Sequence, residues 1–230
     1  MCGIVCALNI NENPEILRPQ LLEMSKKLRH RGPDWSGIFS DKNAVLAHER
    51  LAIVDPKSGQ QPLYSKDGRY VLAANGEIYN HLELREKYAK NHDFLTDSDC
   101  EIIIALYNLK GKDFLNDLNG IFGFVLYDSF ENKFLVARDN VGIIPLYVGW
   151  DKNDTMYVSS ELKALEGKCQ KIEIFPPGSL YHSDDKDYVK WYSKSWMNFE
   201  TVKNNKTKIE LLKKSLEDAV HRQLMSDVPY

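Results

Sequence analysis

Residues 1–5 read MCGIV, so Cys2 becomes the first residue of the chain once the initiator methionine is removed. Removal is expected because the side chain after Met1 is small. Cys2 would then carry a free α-amine with a pKa of about 7.7–8.0 beside a thiol with a pKa of about 8.5. One residue would hold a nucleophile and its base, the N-terminal nucleophile arrangement. The competing interpretation is a small apolar side chain at the start of a buried strand, the commoner role of a cysteine.

Attack on a carboxamide by such a thiolate produces an oxyanion, which requires hydrogen-bond donors placed in advance. The segment AANGEIYN, residues 73–80, offers the side-chain amide of Asn75 and the backbone N–H of Gly76. An Asn-Gly pair between alternating apolar residues is also the strongest short-range signal for a hairpin turn. We therefore predict a turn at this pair and keep an oxyanion hole as a second interpretation, since both can hold at once.

Composition narrows the class of protein. The chain has 230 residues, a formal net charge of −3 and 43% hydrophobic residues, which suffices for a packed core. No run of Lys or Arg indicates nucleic acid or a membrane surface as a partner. The apolar start lacks a preceding basic region, so it does not match a signal peptide, and no later run is long enough to span a bilayer. We predict a cytosolic protein that binds small molecules or other proteins.

Metal sites and disulfides are not expected. The four cysteines are too few and too scattered for a disulfide scaffold, so reduced thiols are predicted. Cys2 and Cys6 lie four residues apart, but no second Cys or His pair completes a zinc-type spacing. The six histidines are dispersed and form no H-E-x-x-H motif.

Periodicity predicts an α+β protein. Apolar alternation favours strands at residues 3–9, 44–54, 69–79, 122–128, 133–138, 145–150 and 156–160, most of them separated by short polar turns. Helical spacing appears at 15–29, 98–109 and 206–225, and the second helix is expected to begin with a capping box formed by Ser98 and Glu101. The absence of regular βαβ alternation favours antiparallel sheets in a layered sandwich.

Eight blocks, in order, resemble one known family. They are MCGI, RGPDWSG, HERLAIVD, NGEIYNH, SDCE, FGFVLYD, RDNVGIIPLY and SSELKAL, which begin at residues 1, 31, 48, 75, 98, 122, 138 and 159. Together they resemble the glutaminase domain of glutamine-dependent asparagine synthetases, a class II glutamine amidotransferase domain. The resemblance implies the four-layer αββα sandwich of antiparallel sheets found in N-terminal nucleophile hydrolases.

The resemblance also implies roles for single residues. Cys2 resembles the nucleophile that forms a γ-glutamyl thioester and releases ammonia, and Asn75 with Gly76 resembles the oxyanion hole. Glutamine carries a carboxylate and an ammonium, which require a fixed cation and a fixed anion. The implied substrate-binding residues are Arg50 for the carboxylate, Glu77 and Asp99 for the ammonium, and the backbone of Leu51, Ala52, Ile53 and Val54.

Without the resemblance, plainer interpretations would stand. Arg50 would be a solvated charge on a strand, and Asp99 a carboxylate in a first helical turn, where it favours the helix dipole. The RGPD segment, residues 31–34, is expected from its composition to be a tight turn, and the resemblance implies that it supports the site by packing. We assign no chemistry to His48 or to the three other cysteines, Cys6, Cys100 and Cys169.

The C-terminal segment is expected to belong to another domain. After the polar stretch TVKNNKTK, an amphipathic helix places six apolar residues on one face: Ile209, Leu212, Leu216, Ala219, Val220 and Leu224. In asparagine synthetases the segment resembling LMSDVPY leads into a Ser-Gly-Gly pyrophosphate-binding loop, which this chain lacks. We predict a glutaminase domain over residues 1–203 and the first helix of a synthetase (ATP-pyrophosphatase) domain over 204–230.

The expected function is hydrolysis of glutamine, with ammonia passed to a C-terminal synthetase domain that makes asparagine from aspartate. No cofactor is expected in this part of the protein, whereas ATP and Mg are expected in the synthetase domain. Two alternatives stay open: a glutaminase feeding another acceptor, such as a sugar phosphate, and a non-catalytic regulatory domain of the same fold. A homodimer is also left open.

Overall fold

Two antiparallel β-sheets form the centre of the molecule, in a computed structural model that describes residues 1–88, 90 and 92–229. The strands are β1 (Gly3–Leu8), β2 (Trp35–Ser40), β3 (Ala44–Arg50), β4 (Leu63–Tyr64), β5 (Tyr70–Ile78), β6 (Gly120–Asp128), β7 (Lys133–Arg138), β8 (Tyr147–Trp150), β9 (Met156–Ser159), β10 (Lys171–Ile174), β11 (Ser179–His182) and β12 (Tyr188–Lys190). The first sheet has the order β10-β8-β9-β1-β3-β2, and the second has the order β12-β11-β7-β6-β5-β4.

Two of the helices, α1 and α3, cover the outer faces of the first and the second sheet. The α-helices are α1 (Pro14–Lys26), α2 (His81–Tyr88), α3 (Ile102–Lys110), α4 (Leu162–Leu165), α5 (Phe199–Val202) and α6 (Ile209–Arg222). Short 3₁₀ turns occur at Asp99–Glu101, Gly111–Asp117 and Ser195–Met197. In the part of the chain that the structure describes, no helix has the length and apolar character needed to cross a membrane.

Three hydrophobic cores stack these elements into four layers. Successive side chains of a strand point to opposite faces, so β1 sends Ile4 into the core between the sheets and Val5 into the core under α1. Val71 of β5 meets the central core from the second sheet. Ile103 of α3 packs on the outer face of the second sheet. The arrangement confirms the predicted α+β class and the four-layer αββα sandwich.

Each strand expected from the sequence is present, although the strand predicted over 44–54 ends at Arg50 and residues 51–54 form a loop. Five more strands were not predicted. They are β2, β4, β10, β11 and β12. β2 is half exposed along its length, and the other four have two to four residues each, so neither type shows a long apolar alternation. The three predicted helices correspond to α1, α3 and α6, with bounds shifted by a few residues.

Two local predictions are wrong. Asn75 and Gly76 lie inside β5, paired with Gly123 and Phe122 of β6, so they form no hairpin turn. The long pairing with β6 overrides the local turn preference. A side chain at position 76 would place its Cβ 2.2 Å from the Ile121 carbonyl oxygen, so glycine is required by close backbone approach and not by a turn.

The predicted capping box is also absent. The side chain of Ser98 caps no helix, and α3 begins only after a 3₁₀ turn. The Glu101 carboxylate instead accepts hydrogen bonds from the backbone N–H groups of Leu95 and Thr96, at 2.7 and 2.8 Å. Glu101 therefore orders the loop that precedes Asp99, which lies in the same 3₁₀ turn as Glu101.

Candidate active site

Strand alternation brings Cys2 and Asn75 into the same space between the sheets. Cys2 directly precedes β1, and its side chain follows the inward direction of Ile4. On the facing sheet Ala73 points into the central core, so Asn75 and Glu77, two and four residues later, point the same way. The residues lining the resulting cavity are Met1, Cys2, Leu51, Ile53, Asn75, Gly76, Glu77, Ile121 and Ile144.

The Cys2 thiol is held in place by backbone contacts. Its Sγ accepts a hydrogen bond from the Leu51 N–H at 3.3 Å. The Cys2 carbonyl oxygen accepts a bond of 2.9 Å from Nε of Arg31, whose guanidinium also pairs with Glu161. Burial raises the pKa of the Cys2 thiol, although the Leu51 N–H opposes the shift. The thiol is thus protonated at neutral pH and requires a base to become a nucleophile.

Asn75 presents a buried amide with no partner. Its side chain is 1% exposed, and neither Nδ2 nor Oδ1 has a hydrogen-bond partner among the described residues. Leaving a buried polar group unpaired costs about 1–3 kcal/mol. An unpaired donor in the cavity beside the Cys2 thiol is therefore an arrangement that a ligand oxygen would stabilise.

Gly76 supplies a second donor. The backbone N–H and C=O of Phe122, which lies opposite Gly76, both bond Asp139, on the far side of β6 from β5. In an antiparallel pair the two opposed residues either exchange both bonds or neither. Gly76 therefore directs its N–H away from β6, at the edge of β5 that borders the cavity.

Arg50 is a buried cation without a counter-ion. It ends β3, is 4% exposed and donates from Nη2 to the carbonyl oxygens of Val54 and Asp55, at 3.0 and 2.6 Å. No carboxylate of the residues that the structure describes forms an ion pair with it. A buried charge is expensive unless it is paired, so a carboxylate that reached Arg50 would be stabilised, although Arg50 does not itself line the cavity beside Cys2.

Glu77 and Asp99 form a pair of buried carboxyl groups, opposite in charge to Arg50 when ionised. Burial raises the pKa of both side chains, and the charge of Asp99 raises that of Glu77 further. Asp99 accepts a 2.7 Å hydrogen bond from the Ile78 N–H, whereas Oε2 of Glu77 has no partner among the described residues. Two adjacent buried carboxylates in this state favour a bound cation.

The loop from Leu51 to Asp55 connects these groups, and two residues from other segments of the chain hold it. The Asp34 carboxylate accepts from the Ala52 N–H at 2.9 Å. Asp227, in the C-terminal segment, accepts from the Asp55 N–H at 2.7 Å, and its own N–H donates to the Ile53 carbonyl at 3.0 Å. Asp34 belongs to the RGPD segment that was predicted to support the site, whereas sequence reasoning missed Asp227, because its contacts join segments far apart in the chain.

The structure also places the residues expected to have no chemistry. His48 is fully buried, and Nε2 donates to the Ala74 carbonyl oxygen at 2.9 Å, while burial lowers its pKa to about 4. Burial raises the pKa of Cys6 and Cys100, and raises that of Cys169 to about 11. Among the described residues, no group of three or more His, Cys, Asp or Glu side chains is arranged to hold a metal ion.

Comparisons with known proteins identify relatives of the chain. A model of the glutamine amidotransferase domain matches residues 1–189. Asparagine synthetase B (glutamine-hydrolyzing) of Escherichia coli strain K12 is 50% identical over 230 residues, which are 100% of this chain and 42% of that protein. Asparagine synthetase (glutamine-hydrolyzing) of Asparagus officinalis is 46% identical over 230 residues, 100% of this chain and 39% of that protein. The chain thus spans about two fifths of the length of these curated relatives.

A solved structure shares the architecture. Glutamine phosphoribosylpyrophosphate amidotransferase from B. subtilis, complexed with ADP and GMP, superposes with a TM-score of 0.68. The two sequences are 22% identical, and the match covers 84% of this chain and 50% of that chain. At this identity the likeness shows the fold alone, and it agrees with the layered arrangement of the two sheets.

Proposed function

The chain belongs to the family of glutamine amidotransferase domains, and from this membership we propose that it hydrolyses glutamine to glutamate and ammonia through a thioester at Cys2. One observation carries the proposal: the Cys2 thiol shares a cavity with the buried, unpartnered amide of Asn75. A nucleophile and a donor placed in advance for its oxyanion are the parts that acyl transfer requires.

The base in this proposal is the α-amine of Cys2, freed by removal of Met1. The raised pKa of the thiol means that the amine must accept its proton as the sulfur attacks the side-chain carbonyl carbon of glutamine. The C=O π electrons move onto the oxygen, which accepts hydrogen bonds from Asn75 and Gly76. When the oxyanion collapses, the C–N bond of the carboxamide breaks. The protonated α-amine of Cys2 gives its proton to the leaving nitrogen, and ammonia leaves.

Hydrolysis of the thioester completes the cycle. Water attacks the thioester carbonyl and gives a proton to the same amine, and a second oxyanion forms at the same donors. Collapse then breaks the C–S bond, the sulfur regains a proton, and glutamate is released. The two halves of the reaction thus use one nucleophile, one base and one pair of donors.

Substrate recognition follows from two buried charged groups, the Arg50 guanidinium and the carboxylate pair of Glu77 and Asp99. We assign the substrate carboxylate to Arg50 and the ammonium to Glu77 and Asp99, with the backbone of residues 51–54 along the chain of the substrate. Glutamine offers all of these groups together with a carboxamide.

The cavity beside Met1 has a volume of about 20 Å³. This is room for about one water molecule and far below the roughly 300–1,000 Å³ of ordinary ligand sites. Removal of Met1 therefore also opens space for the substrate.

For the whole protein we propose the activity named for its relatives. The ammonia would be passed to a synthetase domain that converts aspartate to asparagine with ATP and Mg, which we assign to the part of the relatives that this chain does not span. The match over the full chain to asparagine synthetases supports this acceptor over a sugar phosphate. We place the protein in the cytosol and keep a homodimer as an alternative that light scattering tests.

We further propose that residues 204–230 belong to the synthetase domain. In support of this boundary, α6 has no buried residue, and Ile209, Leu212 and Leu216 are 79%, 64% and 66% exposed. A chain ending at residue 203 loses the two hydrogen bonds that Asp227 forms with the loop at Ile53 and Asp55. It should keep the cooperative thermal transition of the longer chain, and its circular dichroism should decrease only by the helical signal of α6. Loss of the cooperative transition would place the segment within the glutaminase domain.

The function is tested with a glutamine analogue that carries an electrophile at the side-chain carbonyl. On protein shown by intact mass to lack Met1, it should label Cys2 in a one-to-one ratio and abolish release of ammonia. Cys2→Ala should bind glutamine but neither react nor hydrolyse, and Cys169→Ala is the matched control that should behave as wild type. Labelling at another cysteine, or hydrolysis by Cys2→Ala, would overturn the assignment.

A further inference from the structure

In the described part of the chain, no strand pairs with the edge of β5 that borders the cavity at Ala74, Gly76 and Ile78. β4 pairs only with Val71 and Leu72. Alternation directs the backbone groups of Ala74, Gly76 and Ile78 away from β6, toward this open edge. These groups would bond water or another strand unless side chains cover them.

Side chains cover all but one of the N–H donors on this stretch. The Ala74 N–H donates to Oε1 of Gln61 at 2.7 Å, and the Ile78 N–H donates to Oδ2 of Asp99 at 2.7 Å. The Gly76 N–H, between them, has no such acceptor among the residues that the structure describes. The edge therefore presents one open donor, at the position where the oxyanion would lie.

Both backbone groups of Ala74, the N–H and the carbonyl, are held by side-chain hydrogen bonds. Gln61 holds the N–H, and His48 of the first sheet donates from Nε2 to the carbonyl oxygen at 2.9 Å. Gln61 is 7% exposed, so water competes poorly for this contact. The carbonyl group of Ala74 forms the peptide bond to Asn75, so its orientation sets the start of the segment that carries both proposed donors.

We propose that Gln61 is a positioning residue for the oxyanion hole: its side-chain carbonyl fixes the β5 backbone at Ala74 and thereby sets the donors of Asn75 and Gly76. The inference rests on the proposed glutaminase function and extends it to a residue that does not touch the reacting atoms. Donors to an oxyanion act only if they are placed in advance, so the loss of Gln61 is expected in kcat and not in KM.

The test uses two substitutions that remove the contact and one that keeps it. Gln61→Met has a similar shape without the acceptor, and Gln61→Asn keeps an amide that is one methylene too short to reach. Each should lower kcat by about 10-fold or more, because small displacements of catalytic groups cost up to about 100-fold, while KM for glutamine changes less than about 2-fold. Gln61→Glu retains an acceptor at the same reach and should keep a larger kcat than either.

The neighbouring Gln60 provides a matched control. It is exposed, so Gln60→Met should leave kcat, KM and the melting temperature unchanged. If Gln61→Met fails to fold, Gln61→Asn carries the test. A normal kcat in a folded Gln61→Met or Gln61→Asn, equal losses in all three Gln61 variants, or a rise in KM that accounts for the loss would overturn the inference. Wild-type protein without glutaminase activity would instead overturn the proposed function, so the two failures are distinguishable.

Discussion

The Sγ atom of Cys2 accepts a 3.3 Å hydrogen bond from the backbone N–H of Leu51, the first residue after β3. The nucleophile is therefore tied to the start of the loop proposed to line the substrate pocket. Arg50, the residue before Leu51, fixes the other end of the loop by donating hydrogen bonds to the carbonyl oxygens of Val54 and Asp55. A substrate that moves the loop would change the environment of the thiol at the same time.

Retention of Met1 is predicted to abolish glutamine hydrolysis. An amide nitrogen at Cys2 cannot accept the thiol proton, and Met1 lines the small cavity that glutamine must enter. The measurement is ammonia release by protein with an uncleaved N-terminal extension, with retention verified by intact mass. The control is the same preparation after a protease has removed everything before Cys2, which should restore turnover. Full activity with the extension attached would contradict the N-terminal nucleophile mechanism.

Glutamine binding is predicted to release protons. Burial raises the pKa of Glu77 and Asp99, so the free protein holds protons on this pair above the ordinary carboxylate pKa of about 4. Between the ordinary carboxylate pKa and the raised pKa values, the folded protein binds more protons at this pair than the unfolded protein does. The contribution of the pair to the free energy of unfolding therefore decreases as pH rises through that interval. A bound ammonium favours the ionised pair, so affinity should increase with pH there.

Calorimetry with Cys2→Ala, which binds without turnover, measures this release. Titrations of glutamine in two buffers of different ionisation enthalpy should give different apparent binding enthalpies. Asp99→Asn should reduce the difference, because it removes one of the two carboxyls and the charge that adds to the raised pKa of Glu77, while burial still raises the pKa of Glu77. Binding without net proton release, or with proton uptake, would show that the ammonium does not lie against the Glu77 and Asp99 pair.

Asp99→Asn is predicted to raise KM more than it lowers kcat. The carboxylate would contact the substrate ammonium in the ground state and in the transition state alike, so its charge contributes uniform binding. Asp97→Asn is the matched control, since Asp97 is an exposed carboxylate two residues away. An unchanged KM in Asp99→Asn would leave Asp99 a structural role, as the acceptor of the Ile78 N–H.

How much the sequence could predict depends on how far apart in the chain the residues of each contact lie. Periodicity predicted β1 and β5, because alternation is a local property. The inward-facing positions of Cys2 and Asn75 followed only from the packing of the two sheets. The turn prediction at Asn75 was wrong because the same alternation continues through the dipeptide and pairs it with β6. Gln61 and Asp227 were out of reach, because each bonds backbone groups brought near only by the complete fold.

Asn75→Asp is predicted to lower kcat by about 10²–10³, or about 2.7–4 kcal/mol, the usual loss for one donor to an oxyanion. The side chains have the same shape, but a carboxylate offers no donor and repels the developing negative charge. With no turn at this position, a role in turn formation no longer explains a loss.

KM for glutamine should change much less than kcat, because the ground-state carbonyl carries little of the charge that forms in the transition state. The backbone of Asn75 pairs with Gly123 whichever side chain is present, so circular dichroism should show an unchanged fold. Asn116→Asp is a matched control at an exposed asparagine, and it should leave both constants unchanged. A folded Asn75→Asp with near-normal kcat would mean that the unpaired amide at Asn75 does not bind the oxyanion, and that Gly76 acts with donors elsewhere in the cavity.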